Sequence, residues 1–339
     1  FFAYISFGSF KIGLHIMKKR LGVIMDPITG IKPHKDTTLA LLLAAQKFNY
    51  DIYYMEMSNL SLVDGAAFGK ASRIEVYDSN DRWFQYLGNE STKNYLLSDF
   101  DCILMRKDPP FDMEYVIATY ILEKAQLGGA LVVNDPRSIR DCNEKLFTSW
   151  FPDLCPPTLV TRSKDQLQQF MEIHQDIVIK PLDGMGGTSV FRIRPNDSNA
   201  NVIFETLTKL ESNYCMAQRY LPQIENGDKR VIVVNGQPIE YALARIPAKG
   251  ELRGNLAAGG RGVPQPLSEA DLHICRRVGP ELVKRGLLFV GLDIIGDKLT
   301  EINVTSPTCA REIDTFGEIQ VGEILMAALE EILVASKRS

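Results

Sequence analysis

Between Arg20 and Arg140, short apolar runs alternate with stretches of helical period, and this alternation restricts the fold more than any other feature. LGVIMDP reads as a buried strand ending at Asp26-Pro27, TTLALLLAAQKF as a helix capped near Asp36, and DIYYMEM as a second strand. The pattern resumes with FDCILMRKDPPFD, a strand running into a proline-broken loop. MEYVIATYILEKAQLGG follows as a helix stopped by glycines, and ALVVNDP as another strand. Strands separated by helices pair in parallel, with the helices lying on the sheet faces. Ligands gather at the carboxyl ends of such strands, which makes Met25, Asp26, Arg106, Lys107 and Asp108 the ligand-facing residues of this block.

After Arg140 the character changes. CNEKLFTSWF reads as helical, PPTLVTR as a strand followed by a helix, and QDIVIKPLDGMGGTSVFRI as two strands joined by a glycine loop; YCMAQRYLP closes a compact α+β unit. DKRVIVVNGQPIEYALARI is a hairpin turned at Asn235-Gly236. PAKGELRGNLAAGGRGVPQP, residues 247–266, carries five glycines with Arg253 and Arg261, and predicts a structureless loop of the length used for lids.

Composition excludes several function classes. A chain of 339 residues holds two or three compact units. Lys+Arg of 38 against Asp+Glu of 42 gives no basic excess for a nucleic-acid backbone, and no run reaches the roughly 18 apolar residues of a membrane span. The six cysteines include no C-x-x-C and several sit in apolar runs, so they read as reduced, packed thiols of a cytoplasmic protein. The four histidines have neither metal nor triad spacing. FFAYISFGSFKIGLHI lacks the basic start and small-residue cleavage site of a signal peptide. Translation is expected to start at Met17, with residues 1–16 an upstream or appended segment that has no assigned role.

FVGLDIIGDKLTEINVTSPT contains two strands around Gly296-Asp297. A two-residue turn setting Ile295 opposite Lys298 would place Leu299, Glu301 and Asn303 on one face with Val290, Leu292 and Ile294, at a cost of several kcal/mol for unpaired buried polar groups. A three-residue loop, Gly296 to Lys298, instead pairs Asp293 with Glu301 and Gly291 with Asn303. Val290, Leu292, Ile294, Thr300, Ile302 and Val304 then form an apolar face. Asp293, Glu301 and Asn303 share the other, below the space left by Gly291. Three converging oxygen donors call for a cation, and carboxylates with an amide suit Mg²⁺.

KPLDGMGGTSVF has the glycine density of a phosphate-covering loop, but fits neither the P-loop nor the G-x-G-x-x-G pattern. Its positive charge precedes the glycines: Lys180 ends the strand DIVIK immediately before the turn, and Lys145 in RDCNEKLF is a second candidate. With the hairpin oxygens, these lysines outline a nucleotide cleft between the middle and last blocks.

RDCNEKLFTSWFPDL, IKPLDGMGGTSVFRI, GDKRVIVV, RGNLAAGGRG and GLDIIGDKLTEINVTSPTC closely resemble the bacterial glutathione synthetase family of the ATP-grasp superfamily, and MDPI and MRKDPPFD extend the resemblance into the first block. The resemblance implies an α/β and α+β chain with an ATP-grasp fold and an amino-terminal parallel-sheet (pre-ATP-grasp) domain. It divides into a substrate-binding domain over residues 17–140, an ATP-grasp lid domain over 141–222, and a catalytic domain over 223–339 with a flexible loop at 246–261. The implied reaction is ATP-dependent ligation of γ-glutamylcysteine to glycine in a cytoplasmic homotetramer, without nucleic-acid or membrane partners.

The resemblance also implies residue roles. Lys145, Lys180 and the turn containing Gly184, Gly186 and Gly187 contact ATP phosphates; Gln218, Arg219, Tyr220 and Leu221 form the hinge beside adenine; and Asp228 belongs to the nucleotide site. Asp293, Glu301 and Asn303 hold Mg²⁺, with Mn²⁺ as the alternative ion. Arg230, Arg245 and Arg253 meet substrate carboxylates and phosphoryl oxygens, which guanidinium binds bidentately. No Ser/His/Asp or Cys/His set is present, and none is needed where the substrate carboxylate itself attacks the γ-phosphate. A D-alanine-D-alanine or glutamate-adding ligase would share the lysines and metal face. A non-catalytic nucleotide-binding module would lack one of them, and a kinase would carry H-R-D and D-F-G.

Overall fold

The computed structural model describes residues 18–88, 92–251, 253–256, 259–316 and 319–336. Residues 1–16, expected above to be upstream sequence, and positions 252, 257 and 258 of the glycine-rich run lie outside the described residues.

The first sheet has a parallel core in the order Tyr50–Met55, Lys19–Ile24, Cys102–Met105, Leu131–Val133. Its strands are apolar on both faces because both faces are covered. Leu21 and Val23 pack in the core that includes helix Thr37–Lys47, whereas Ile24, Ile103 and Met105 pack with helix Met113–Leu127. Carboxylate caps set both helix starts: Asp36 accepts from the Leu39 amide at 2.6 Å, and Asp112 from that of Tyr115 at 2.9 Å.

An antiparallel meander, Leu60–Val63, Ala66–Val76, Phe84–Tyr86 and Lys93–Leu96, extends this sheet beyond Tyr50–Met55. It is absent from the sequence reading, although Asp64 and Gly65, at φ 48° and 80°, form the kind of turn that marks a hairpin.

The second sheet is antiparallel, ordered Phe191–Ile193, Ile177–Pro181, Cys215–Arg219, Thr158–Thr161. Helices Lys164–His174 and Ala200–Thr208 supply its apolar backing. CNEKLFTSWF, expected to be helical, forms only a 3₁₀ turn, Leu146–Trp150. Pro152 follows directly after Phe151, and a residue before proline is driven out of the helical region; Phe151 sits at φ −128°, ψ 58°.

The third sheet runs Arg261–Pro266, Gln237–Ile246, Asp228–Val234, Phe289–Ile295, Lys298–Asn303, all antiparallel. Asn235 and Gly236, at φ 47° and 77°, make the expected turn. The run 247–266 is not loop throughout, because Arg261–Pro266 pairs with Gln237–Ile246 as an edge strand. Pro264 and Pro266 are tolerated there because an edge strand has a side that needs no amide donors.

One face of the third sheet packs with helix Glu269–Lys284. Ile232, Val234 and Leu243 on the other join the core of the first sheet. Helix Val321–Ser336 returns to that core, where Leu325, Met326 and Leu329 are fully buried. Among the described residues no helix is long and apolar enough to cross a membrane, and the six cysteines are buried and unbridged.

Candidate active site

A cavity of about 540 Å³ opens where the three sheets meet. Its densest chemistry comes from the hairpin Phe289–Ile295 and Lys298–Asn303. Ile295 pairs with Lys298 across a two-residue turn, Gly296-Asp297, with Gly296 at φ 63°. A bulge then shifts the register, so that Asp293 pairs with Glu301 and Gly291 with Asn303. The expected pairing of the three oxygen donors is therefore present, but a bulge produces it and not a three-residue loop. In consequence Leu299 takes the place in the apolar face expected for Thr300; Thr300 lines the cavity, and its hydroxyl donates to the Asp293 carbonyl at 3.1 Å.

Each hairpin oxygen donor has a protein partner. Arg230 Nε donates to Asp293 Oδ1 at 2.6 Å, and Arg245 Nη2 lies 2.9 Å from Oδ2. Burial pushes the Asp293 carboxyl up, but the two guanidiniums outweigh it and hold the group well below the usual carboxylate range. Glu301 pairs with Lys145 at 3.0 Å. Asn303 donates its amide nitrogen to the Gly291 carbonyl at 3.0 Å. The room expected above Gly291 is filled by Arg230 and Pro307: a Cβ there would lie 2.9 Å from Arg230 Cδ and 3.0 Å from Pro307 Cβ.

The two lysines meet this hairpin from the other side. Lys145 Nζ bridges the Gly184 carbonyl, at 2.5 Å, and Glu301, so one ammonium ties the glycine turn to the hairpin. Lys180 Nζ donates to the Thr300 carbonyl at 3.2 Å. Burial lowers the affinity of both lysines for their proton. Glu301 overcomes this at Lys145, which is raised, but not at Lys180, which is lowered.

Gly184, Gly186 and Gly187 all line the cavity, with Gly186 and Gly187 at φ 61° and 80°. Gly187 lies against the glycine-rich run, where a Cβ would sit 2.7 Å from Asn255 Oδ1 and 2.9 Å from Arg253 Cδ. Arg253 lines the cavity while held by Glu251 at 2.6 Å. Asp228 also lines it, with Arg245 Nη2 2.5 Å from Oδ2 and with Oδ1 buried and unpartnered; burial pushes its carboxyl up to about 6.

Other expected residues are placed elsewhere. Gln218, Arg219, Tyr220 and Leu221 stand at the end of Cys215–Arg219, outside the cavity wall. Gln218 donates to Thr158 Oγ1 at 3.0 Å, and the Arg192 guanidinium stacks 3.5 Å from the Tyr220 ring. Of the five ligand-facing residues expected from the first block, only Asp108 lines the cavity. Met25 is buried, and Asp26 pairs with Lys107 at 2.9 Å. Arg106 turns inward, with Nη2 donating to the Pro307 carbonyl at 2.9 Å. A strand-end position brings a residue to the rim; its tertiary neighbours decide where the side chain goes.

The sequence reading missed Glu144, which is adjacent to Lys145. Its Oε1 accepts from the amides of Val304 and Thr305 at 2.9 and 3.0 Å and from Thr305 Oγ1 at 2.8 Å, fixing the strand end that carries Asn303.

The parallel-core sheet, the antiparallel pair of sheets and the cavity at their junction define an ATP-grasp fold. The solved structures of D-cycloserine synthetase DcsG (TM-score 0.66, 14% identity, 93% of this chain and 99% of that one) and of ATP-grasp ligase PsnB with its precursor peptide PsnA2 and AMPPNP (TM-score 0.60, 16% identity, 92% and 98%) share it. The chain belongs to the prokaryotic glutathione synthetase family. The family's N-terminal domain matches residues 19–140 and its ATP-grasp domain residues 144–318. Glutathione synthetase of Salmonella typhimurium is 58% identical over 311 residues, covering 92% of this chain and 98% of that protein.

Proposed function

We propose that this chain joins γ-glutamylcysteine to glycine, converting ATP to ADP and phosphate. The observation that carries the reading is the bridge made by Lys145 between the Gly184 carbonyl and Glu301. It couples a glycine turn suited to phosphates to a hairpin suited to a cation, within a chain whose family joins these substrates.

The residues divide the work by charge. Lys145 and Lys180 receive the phosphates, and the turn at Gly184, Gly186 and Gly187 covers them. Asp293, Glu301 and Asn303 would hold a divalent ion, with Mg²⁺ preferred for an all-oxygen donor set that leaves positions for phosphate oxygens and water. The ion supplies charge neutralisation on the phosphate oxygens. Two of its three protein donors are ion-paired with Lys145, Arg230 and Arg245, so the incoming phosphates exchange partners with cations already in place.

The cysteinyl carboxylate attacks the γ-phosphorus and ADP leaves; the glycine amine then attacks the carbonyl carbon, phosphate leaves with one carboxylate oxygen, and the proton lost from the amine passes to the departing phosphate. Arg230 and Arg245 stand beside Asp293 to receive the oxyanion that develops in the second step. An acylphosphate open to water would hydrolyse, so Arg253 and its neighbours close over it from the side of the glycine turn. Gln218, Arg219, Tyr220 and Leu221 keep the expected role beside adenine, as the link between the second and third sheets. Domains at 17–140, 141–222 and 223–339, a homotetramer and a cytoplasmic setting complete the proposal.

The test is ADP release with γ-glutamylcysteine plus glycine against the same donor plus other amines. Strong preference for glycine is expected; preference for D-alanine, or indifference to the amine, would sink the reading.

A further inference from the structure

Resting on the homotetramer proposed above, we infer that helix Met113–Leu127 forms one of its contacts, packing antiparallel on the same helix of a second copy across a two-fold axis that passes near Tyr120. The helix is apolar on two sides. Tyr115 and Leu122 face the first sheet and are fully buried there. Met113, Ile117, Tyr120 and Leu127 point the other way and are 68%, 45%, 55% and 66% exposed. At 3.6 residues per turn these four, together with Lys124, fall within an arc of about 80°. A surface helix of a monomer carries its polar residues on that side, whereas a helix apolar all round is one that is buried all round.

The pattern of the stripe selects its occupant. Met113 and Leu127 stand at equal distances from Tyr120 along the chain, so an antiparallel copy centred there sets Met113 of each copy against Leu127 of the other. The charges agree with this pairing. Glu114 and Lys124 are both exposed, and among the described residues neither has an ion-pair partner in its own chain. They lie about 15 Å apart along the helix axis, too far to pair within one chain. Antiparallel packing brings Glu114 of each copy beside Lys124 of the other, making two opposite-charge pairs per contact. Parallel packing would set lysine against lysine. Such self-complementarity is what an isologous contact requires, and closed tetramers are built from contacts of that kind.

Lys124 sits within the apolar stripe without breaking it, because a lysine lays its methylene stem along apolar surface and carries the ammonium to the edge. The helix covers the face of the first sheet opposite to the one shared with the third sheet and helix Val321–Ser336. None of the stripe residues lines the cavity, so a second copy docked here contributes no group to the chemistry.

The experiment follows assembly of the full-length protein by sedimentation velocity. Ile117→Glu is expected to split tetramers into dimers. Lys124→Glu should raise the dissociation constant of the contact roughly tenfold, since two ion pairs become two repulsions. Adding Glu114→Lys to the same chain should restore it, a rescue that arises only between chains. Tyr120→Cys treated with a short bismaleimide should give a covalent dimer, because the six native thiols are buried, and this variant carries the test if Ile117→Glu does not fold. The inference is overturned if the wild-type protein is a tetramer and the variants remain tetramers without a cross-link, as contacts elsewhere, or residues 1–16 lying over the stripe, would produce. A wild-type protein that stays monomeric at micromolar concentration would instead defeat the homotetramer reading itself.

Discussion

Asp293 and Glu301 are direct partners across the carboxy-terminal hairpin, and each carboxylate has its own cations: Arg230 and Arg245 for the first, Lys145 for the second. Two like charges on one sheet face are thereby each matched by cations of their own and held in place. On the function proposed above, the arrangement would leave the hairpin ready for a cation that arrives with anionic phosphates.

Lys145→Met removes the link between the glycine turn and the hairpin and leaves Glu301 without its cation. Turnover should fall roughly 100-fold, as when an electrostatic donor is deleted from an active site. Stability should fall by about 3 kcal/mol, the cost of breaking a buried pair. Steady-state kinetics and urea unfolding check both.

Gly187→Ala places a methyl group against Asn255 and Arg253 at a backbone φ of 80°. The left-handed conformation alone costs about 1–2 kcal/mol for an L-residue. An ATP KM raised by roughly tenfold is the expected result of that penalty. Nucleotide titration reads it directly.

Arg253→Ala should separate ATP use from peptide formation. Loss of a charged hydrogen bond is worth about 1.5–3 kcal/mol, so glutathione formation should drop roughly tenfold or more while ATP affinity changes little. ADP released per glutathione formed is the diagnostic ratio, and it should rise above one. Unchanged turnover would rule out the closing role.

Removal of divalent ions with EDTA should abolish ligation and leave the melting temperature of the nucleotide-free protein nearly unchanged, because Arg230, Arg245 and Lys145 already neutralise the hairpin. Added Mg²⁺ should restore activity. Circular dichroism melts and ADP release measure the two arms.

Asp314 gives a pH signature away from the site. Burial pushes its carboxyl up to about 6, against the hydrogen bond it accepts from the Val321 amide at 2.8 Å. Between the ordinary carboxylate pKa and 6 the folded state binds the proton more tightly than the unfolded chain, so Asp314 subtracts stability as pH rises through that window. Asp314→Asn keeps an acceptor without the charge. Its stability relative to wild type should improve by about 1–2 kcal/mol from pH 4 to pH 7, as read by urea midpoints.

The parallel core was legible because burial on both faces gives unbroken apolar runs, and because Asp36 and Asp112 announce the helices. The pairing of Asp293 with Glu301 was legible because only one register separates carboxylates from Val290 and Leu292. The bulge was not, since a three-residue loop and a two-residue turn followed by a bulge give the same pairing beyond them. Only the side taken by Leu299 and Thr300 tells them apart. The fate of Arg106 was illegible for another reason: its acceptor, the Pro307 carbonyl, is 201 residues away in sequence.

Helix Val321–Ser336 sets Glu330 against Lys19 and Tyr50, the latter 280 residues earlier. During synthesis the opening strand therefore leaves the ribosome long before its covering helix exists. A premature stop codon ahead of position 321 would leave the apolar flank of helix Thr37–Lys47 bare, a lesion that proteolytic quality control would detect even with every ligand-binding residue translated.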